Sequence, residues 1–163
     1  MRRHDVLRAA LALLAAGLTA PALAAPTPLE TQVIALINTA RAAGRSCPGW
    51  GGGQRLGPVA LDARLNAAAR EHAASMSSRN YISHYEPDGS SPSVRVQRAG
   101  FRPTFLSEII YMHSVIGGNP NSPVNWWLNS PVHCRAIMDP HYNIAGVGYS
   151  ALGKSWTVLL AKR

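Results

Sequence analysis

Seven side chains between positions 84 and 141 carry the acid–base and metal chemistry that this sequence can offer: His84, Glu86, Asp88, Glu108, His113, His133 and His141. A neutral imidazole ligates zinc and related cations and moves protons near neutral pH. Carboxylates orient such rings or act as general bases. Cys47 and Cys134 add sulfur, as a disulfide, a metal thiolate or a reactive thiol. None of these residues stands in a recognised spacing. There is no GxSxG elbow, HExxH helix, phosphate loop or dinucleotide fingerprint. Gly51-Gly52-Gly53 lacks a preceding strand and the downstream glycine spacing of a phosphate-binding fingerprint. Ser107 and Ser130 are hydroxyl candidates, but neither sits in a nucleophile elbow. Taken singly, each histidine and carboxylate is more often a surface group than a ligand.

The framework that must position them is one domain. The chain has 163 residues, 47% hydrophobic and 15% charged, which permits a packed core and excludes a disordered chain. Arg2, Arg3 and Arg8 precede an apolar run, Ala9 to Leu18, that is too short to span a bilayer. Ala22-Leu23-Ala24 then has small residues where a signal peptidase reads them. The expectation is an export signal over residues 1–24, cleaved before Ala25, with one domain over 25–163. The protein then works in the periplasm or outside the cell. Removing the signal takes away Arg2, Arg3, Arg8 and Asp5, and the net charge falls from +8 to +6. The remaining basic residues are scattered, with no basic run and no nucleic-acid motif, so nucleic acid is not an expected partner. They read first as a solvated basic surface, with weak attraction to an anionic envelope surface as the functional alternative.

Export changes the reading of the cysteines. Two cysteines in one domain of an oxidising compartment pair most simply with each other, here Cys47 with Cys134; a metal site or a free thiol are the alternatives.

The elements read as helices first and sheet later. Thr27-Pro28-Leu29-Glu30 is a capping box, Leu29, Val33, Leu36, Ile37 and Ala40 recur at helical spacing, and Gly44 is a stop; the first helix is expected over 28–43. Ser46 to Gly57 is a glycine-rich loop around Cys47. A second helix is expected over 62–79, with Leu65, Ala69, His72 and Met76 on one face. His72 there reads as a satisfied core histidine. Ser91-Pro92 starts a short helix ending at Gly100. Asn121-Ser122-Pro123 and Ser130-Pro131 look like two further starts with proline at the first position. Leu106–His113, Asn143–Ser150 and Ser155–Lys162 are strand candidates, and Gly146 and Gly148 imply close packing against something bulky.

Five blocks in order resemble the CAP superfamily of cysteine-rich secretory proteins, antigen 5 and plant pathogenesis-related protein 1. They are Ser83-His84-Tyr85-Glu86-Pro87-Asp88-Gly89-Ser90-Ser91 with Arg95 and Ala99-Gly100-Phe101; Ser107-Glu108-Ile109-Ile110, where the family has "GENI"; Trp127 to Arg135, like the bacterial "WxxSPGHC"; Gly146-Val147-Gly148-Tyr149; and Ser155-Trp156-Thr157. The resemblance covers about residues 30–161. It implies an α+β fold: a three-layer α-β-α sandwich with a small antiparallel sheet between helices.

The family's cleft presents two histidines and two acids. His84 and His133 match the histidines and Glu108 the first acid. The second acid falls near Ser130 and is absent. Ile109 replaces the usual Asn and Val132 the usual Gly. The resemblance therefore implies a reduced cleft of His84, Glu108, Ser130 and His133. His84 and His133 are expected to come together and hold a divalent cation, most simply Zn2+, with Glu108 orienting a ring or ligating. A hydrogen-bonded His–Glu–His cluster that only joins sheet to helix, and a catalytic site, are the other readings. Two functions follow: a secreted, monomeric binding module taking a cation and a lipid or other small ligand, or a metal-assisted hydrolase, a peptidase, acting in the envelope. With no elbow and no clear general base, the residues favour binding.

Overall fold

The computed structural model describes residues 23–50, 53–114, 118–150 and 152–163; the apolar run of the expected export signal lies outside them. Among the described residues no helix is long and apolar enough to cross a membrane. The elements are α1 (Pro28–Ala43), β1 (Ala60–Leu61), α2 (Ala63–Arg79), α3 (Pro92–Arg98), β2 (Phe105–Met112), α4 (Asn121–Leu128), α5 (Pro131–Ile137), β3 (Ile144–Tyr149) and β4 (Ser155–Lys162).

The local signals at the start of α1 act as read. Thr27 Oγ1 accepts from the Glu30 N–H, and Glu30 returns to the Thr27 N–H at 2.8 Å. Gly44 closes the helix at φ 64°, a left-handed conformation that favours glycine. Asp62 caps α2, so that helix begins one residue later than expected. Pro123 is a correction. It is the third residue of α4, whose first turn is instead anchored by Asn119 Oδ1, which accepts from the Asn121 N–H at 3.0 Å. α3 ends at Arg98, before Gly100.

The sheet order is β1-β3-β4-β2. β2, β4 and β3 form the expected antiparallel sheet, with Ile109 opposite Val158 and Val147 opposite Val158 on the other side. The two-residue β1 adds a parallel edge beside β3. It is too short to leave a pattern in the sequence. β4 is central and buried along Ser155–Ala161. Its even residues, Trp156, Val158 and Leu160, pack with Val33, Ile37, Val124, Trp127 and Ile137 from α1, α4 and α5. Leu159 and Ala161 point the other way, into Leu65 and Ala69 of α2, Val96 of α3 and Phe101 just after it. A strand covered on both faces gives three layers, helices–sheet–helices.

Gly146 and Gly148 set the spacing of two layers. A β-carbon at either position would stand 2.2 Å from the backbone of α2, at Leu65 and at Ala69 respectively. The bulky neighbour expected from sequence is the helix backbone itself.

On the far side, buried Arg41 of α1 gathers loop carbonyls. It donates to Gly57 O, Ile137 O, Asp139 O and Tyr142 O at 2.7–3.0 Å. This fixes the end of α5 and the turn that leads into β3. The start of α5 is held differently, by the Cys47–Cys134 disulfide.

Candidate functional site

β2 is the last strand of the sheet on its side, so one of its edges is not paired to another strand. Helices of both layers approach that edge. From α4, Trp127 donates its indole N–H to Ile110 O at 2.9 Å, capping a carbonyl of the strand. Around this edge the site is built from two halves.

The first half comes from the α2–α3 layer. Glu108 shares its strand face with Leu106, on that side of the sheet, and its side chain is 1% exposed. A carboxylate so buried needs cationic and hydrogen-bonding partners. Arg95 of α3 supplies the main one, donating to Glu108 Oε2 at 2.5 Å. The same guanidinium donates to the backbone carbonyls of His84 and Ser90, at 3.0 and 3.1 Å. Arg95 thus ties the His84 loop to the acid on the sheet. His84 completes the link, its Nδ1–H donating to Glu108 Oε1 at 3.0 Å. The ring itself is 45% exposed.

Behind Glu108 lies His72 of α2, fully buried. Its Nδ1 faces Glu86 Oε1 at 2.5 Å, its Nε2 faces Ser83 O at 2.9 Å, and Glu108 Oε1 is 3.8 Å away. Glu86 Oε2 also accepts from Ser75 and Tyr81, at 2.6 and 2.8 Å. Burial pushes Glu86 upward, but the bonds from Ser75, His72 and Tyr81 hold its carboxyl below the usual range. Glu86 is therefore a partner of a core histidine, which is the satisfied state expected for His72.

The second half comes from the α4–α5 layer. His133 is half-buried on α5. Its Nδ1 shares a hydrogen bond of 2.7 Å with Ser130 Oγ. Its ring packs on Trp126 at 4.8 Å, and Trp126 lies 5.7 Å from Tyr111 of β2. Burial, and then the charge of His84, lower the His133 imidazole below its ordinary value. Ser130, at the position where the family's second acid falls, holds the His133 Nδ1, as donor or acceptor, where Glu108 holds that of His84 as acceptor.

The remaining sequence candidates lie elsewhere. His141 pairs with Asp139 at 2.7 Å and packs on Phe105. Asp88 accepts from the Ser90 N–H at 2.8 Å and sits 3.7 Å from Arg98. His113 stands edge-on to Tyr111 just past β2. The residues that sequence reasoning passed over are Arg95 as an anchor and the aromatic pair Trp126–Tyr111. A signal for Arg95 existed: an arginine between Val94 and Val96 on a short helix needs an acid partner if that face is buried. Among the described residues no group of three or more His, Cys, Asp or Glu side chains is placed to hold a metal ion. Glu108 has both oxygens engaged, one by His84 and the other by Arg95.

The family model of the CAP, or cysteine-rich secretory protein, family matches residues 34–160. The chain belongs to this family. The CAP domain is 31% identical over 104 residues to the uncharacterized protein YkwD of Bacillus subtilis, spanning 64% of this chain and 39% of that protein. It thus covers about two-fifths of that relative's length. Among solved structures it resembles an extracellular SCP-domain protein of Bacillus anthracis (22% identity, TM-score 0.71, 83% of this chain and 40% of that one). It also resembles an outer surface protein of Borrelia burgdorferi (22%, 0.61, 81% and 93%). NaASP2, solved with Zn2+, shares the fold at 14% identity and TM-score 0.59, over 82% of this chain and 80% of that one. These likenesses establish the α-β-α sandwich as that of SCP-domain proteins.

Proposed function

We propose that this CAP domain is an exported binding module whose cleft, built on His84 and His133, takes a divalent cation, zinc best of all. One observation carries the reading. Each ring has its Nδ1 held internally, His84 by Glu108 and His133 by Ser130, and neither Nε2 has a partner among the described residues. An imidazole with its proton on Nδ1 keeps a lone pair on Nε2, and a partner on the other nitrogen is how metal-binding histidines are oriented. The donor set fits an open, labile site of two protein ligands with water completing the shell, not a four-ligand structural zinc. Bound there, the cation would supply a Lewis-acidic contact for an anionic or carbonyl group. Trp126 against His133 and exposed Tyr85 beside His84 give such a ligand, a lipid or other small molecule, apolar surface to contact. The extracellular SCP-domain protein of Bacillus anthracis and the outer surface protein of Borrelia burgdorferi, which share the fold, support a periplasmic or extracellular location for a chain cleaved after Ala24, and the domain acts as a monomer without nucleic acid.

A metal-assisted peptidase in the envelope is the second reading. It needs a free general base, and the nearest carboxylate, Glu108, is taken by Arg95 and His84.

The test is zinc calorimetry on the wild type and on H84A/H133A, with a peptidase assay on the same samples. Heat is expected from the wild type at neutral pH, less as the pH falls and imidazolium forms, and none from the double variant. Equal heat from both proteins would dismiss the cleft as the site. Zinc-dependent peptide cleavage abolished in the double variant would put the second reading first.

A further inference from the structure

α5 has two working faces. His133 belongs to the cleft. Val132, Arg135 and Ala136 face a separate groove of about 570 Å³, which contains none of the cleft residues named above. Its other wall is the loop after α1, with Arg45, Trp50 and Gln54, and Met138 and Pro140 also line it.

Three features of this groove are those of a ligand site rather than a solvated depression. Trp50 is 61% exposed and Val132 64% exposed, two large apolar side chains open to solvent in one groove. The indole is held in place: the Arg135 guanidinium lies 4.7 Å from its ring centroid, and the disulfide fastens the Trp50 loop, through Cys47, to α5 next to Arg135. The charge is one-sided. Arg135 uses only Nε, on Pro131 O, and Arg45 only one terminal nitrogen, on Asn129 Oδ1. Among the described lining residues the single acid, Asp139, is already engaged by the backbone and ring N–H groups of His141.

We propose that this groove binds an acidic sugar, a pyranose whose carboxylate is met by Arg45 and Arg135 and whose apolar face stacks on Trp50. The indole offers a flat face to the C–H face of a ring, Gln54 offers amide donors and acceptors to hydroxyls, and two guanidiniums with spare N–H groups suit a carboxylate. An exposed indole in the same groove as two arginines distinguishes this from a bare anion site, where the aromatic would contribute nothing. The inference is independent of the cation reading of the cleft.

The test uses N-acetylmuramic acid and its neutral relative N-acetylglucosamine, which lacks the carboxylate, titrated into the oxidised, 15N-labelled chain. The Trp50 indole N–H signal, assigned by its loss in W50F, should shift saturably with the acidic sugar, and roughly tenfold weaker or not at all with the neutral one. R135A, at an exposed position, should weaken binding of the acid by about tenfold while the spectrum stays dispersed. R45A should weaken it also, and added salt should oppose it. An unmoved Trp50 signal, equal response to the two sugars, or wild-type affinity in R135A would overturn the proposal. So would shifts centred on the His84 and His133 rings instead of Trp50.

Discussion

Glu108 and Arg95 form a buried ion pair, with Arg95 Nη2 2.5 Å from Glu108 Oε2 and both side chains almost fully withdrawn from water. The same arginine holds the backbone of His84, so the pair is also the hinge pin of the cleft's first half.

Removing the arginine leaves Glu108 as an uncompensated buried charge. R95A should lose about 3–5 kcal/mol of stability. R95K, which keeps the charge but not the fork that reaches Glu108, Ser90 and His84 together, should recover only part of that. Urea denaturation of the three proteins measures both. An R95A variant within about 0.5 kcal/mol of wild type would mean the pair does not hold the loop.

The His133 imidazole should titrate below the ordinary histidine value of about 6.5. Burial is the larger cause and the neighbouring charge of His84 the smaller. Below that value the unfolded chain binds a proton that the folded one resists, so stability linked to His133 falls as pH drops through this window. Ring-proton NMR titration reads the value directly. H84A should move it upward; an unchanged value would place the two rings too far apart to interact.

The disulfide closes a loop between residues 87 positions apart. The chain-entropy estimate for such a loop is about 4–5 kcal/mol, an upper guide. C47S/C134S should therefore have a clearly lower denaturation midpoint. Reduction of the wild type should give the same shift, and intact mass with alkylation should count two blocked thiols only after reductant.

At Gly148 an alanine would meet the α2 backbone at Ala69, which cannot rotate aside as a side chain can. G148A should cost about 1–3 kcal/mol through forced separation of helix and sheet. Gly146→Ala, against Leu65, should behave alike. A stable G148A with an unchanged spectrum would show that the layers have slack.

Much of the fold was legible in residues whose signal is local. The capping box at Thr27–Glu30, the stop at Gly44 and the whole of β4 match their expected limits because each depends on neighbours within one or two turns. Pro123 was misplaced because Asn119, earlier in the chain, supplies the anchoring hydrogen bond. β1 left no trace, since two residues carry no period.

The cleft divides the same way. His84, Glu108 and His133 could be named from sequence blocks, and Cys47 and Cys134 from their number and the expected export. Nothing local could say that Glu86 would turn inward to His72, that Arg95 would consume one face of Glu108, or that Ser130 would hold His133. Those are choices among partners far apart in the chain, made when the two helix layers close on the sheet. By itself the sequence determined the residue types available, the helix ends and the buried stripe of each element. Tertiary structure decided which nitrogen of each histidine is spent inside and which is left over, because burial makes every enclosed charge and donor find a partner, and only packing fixes which partners are within reach.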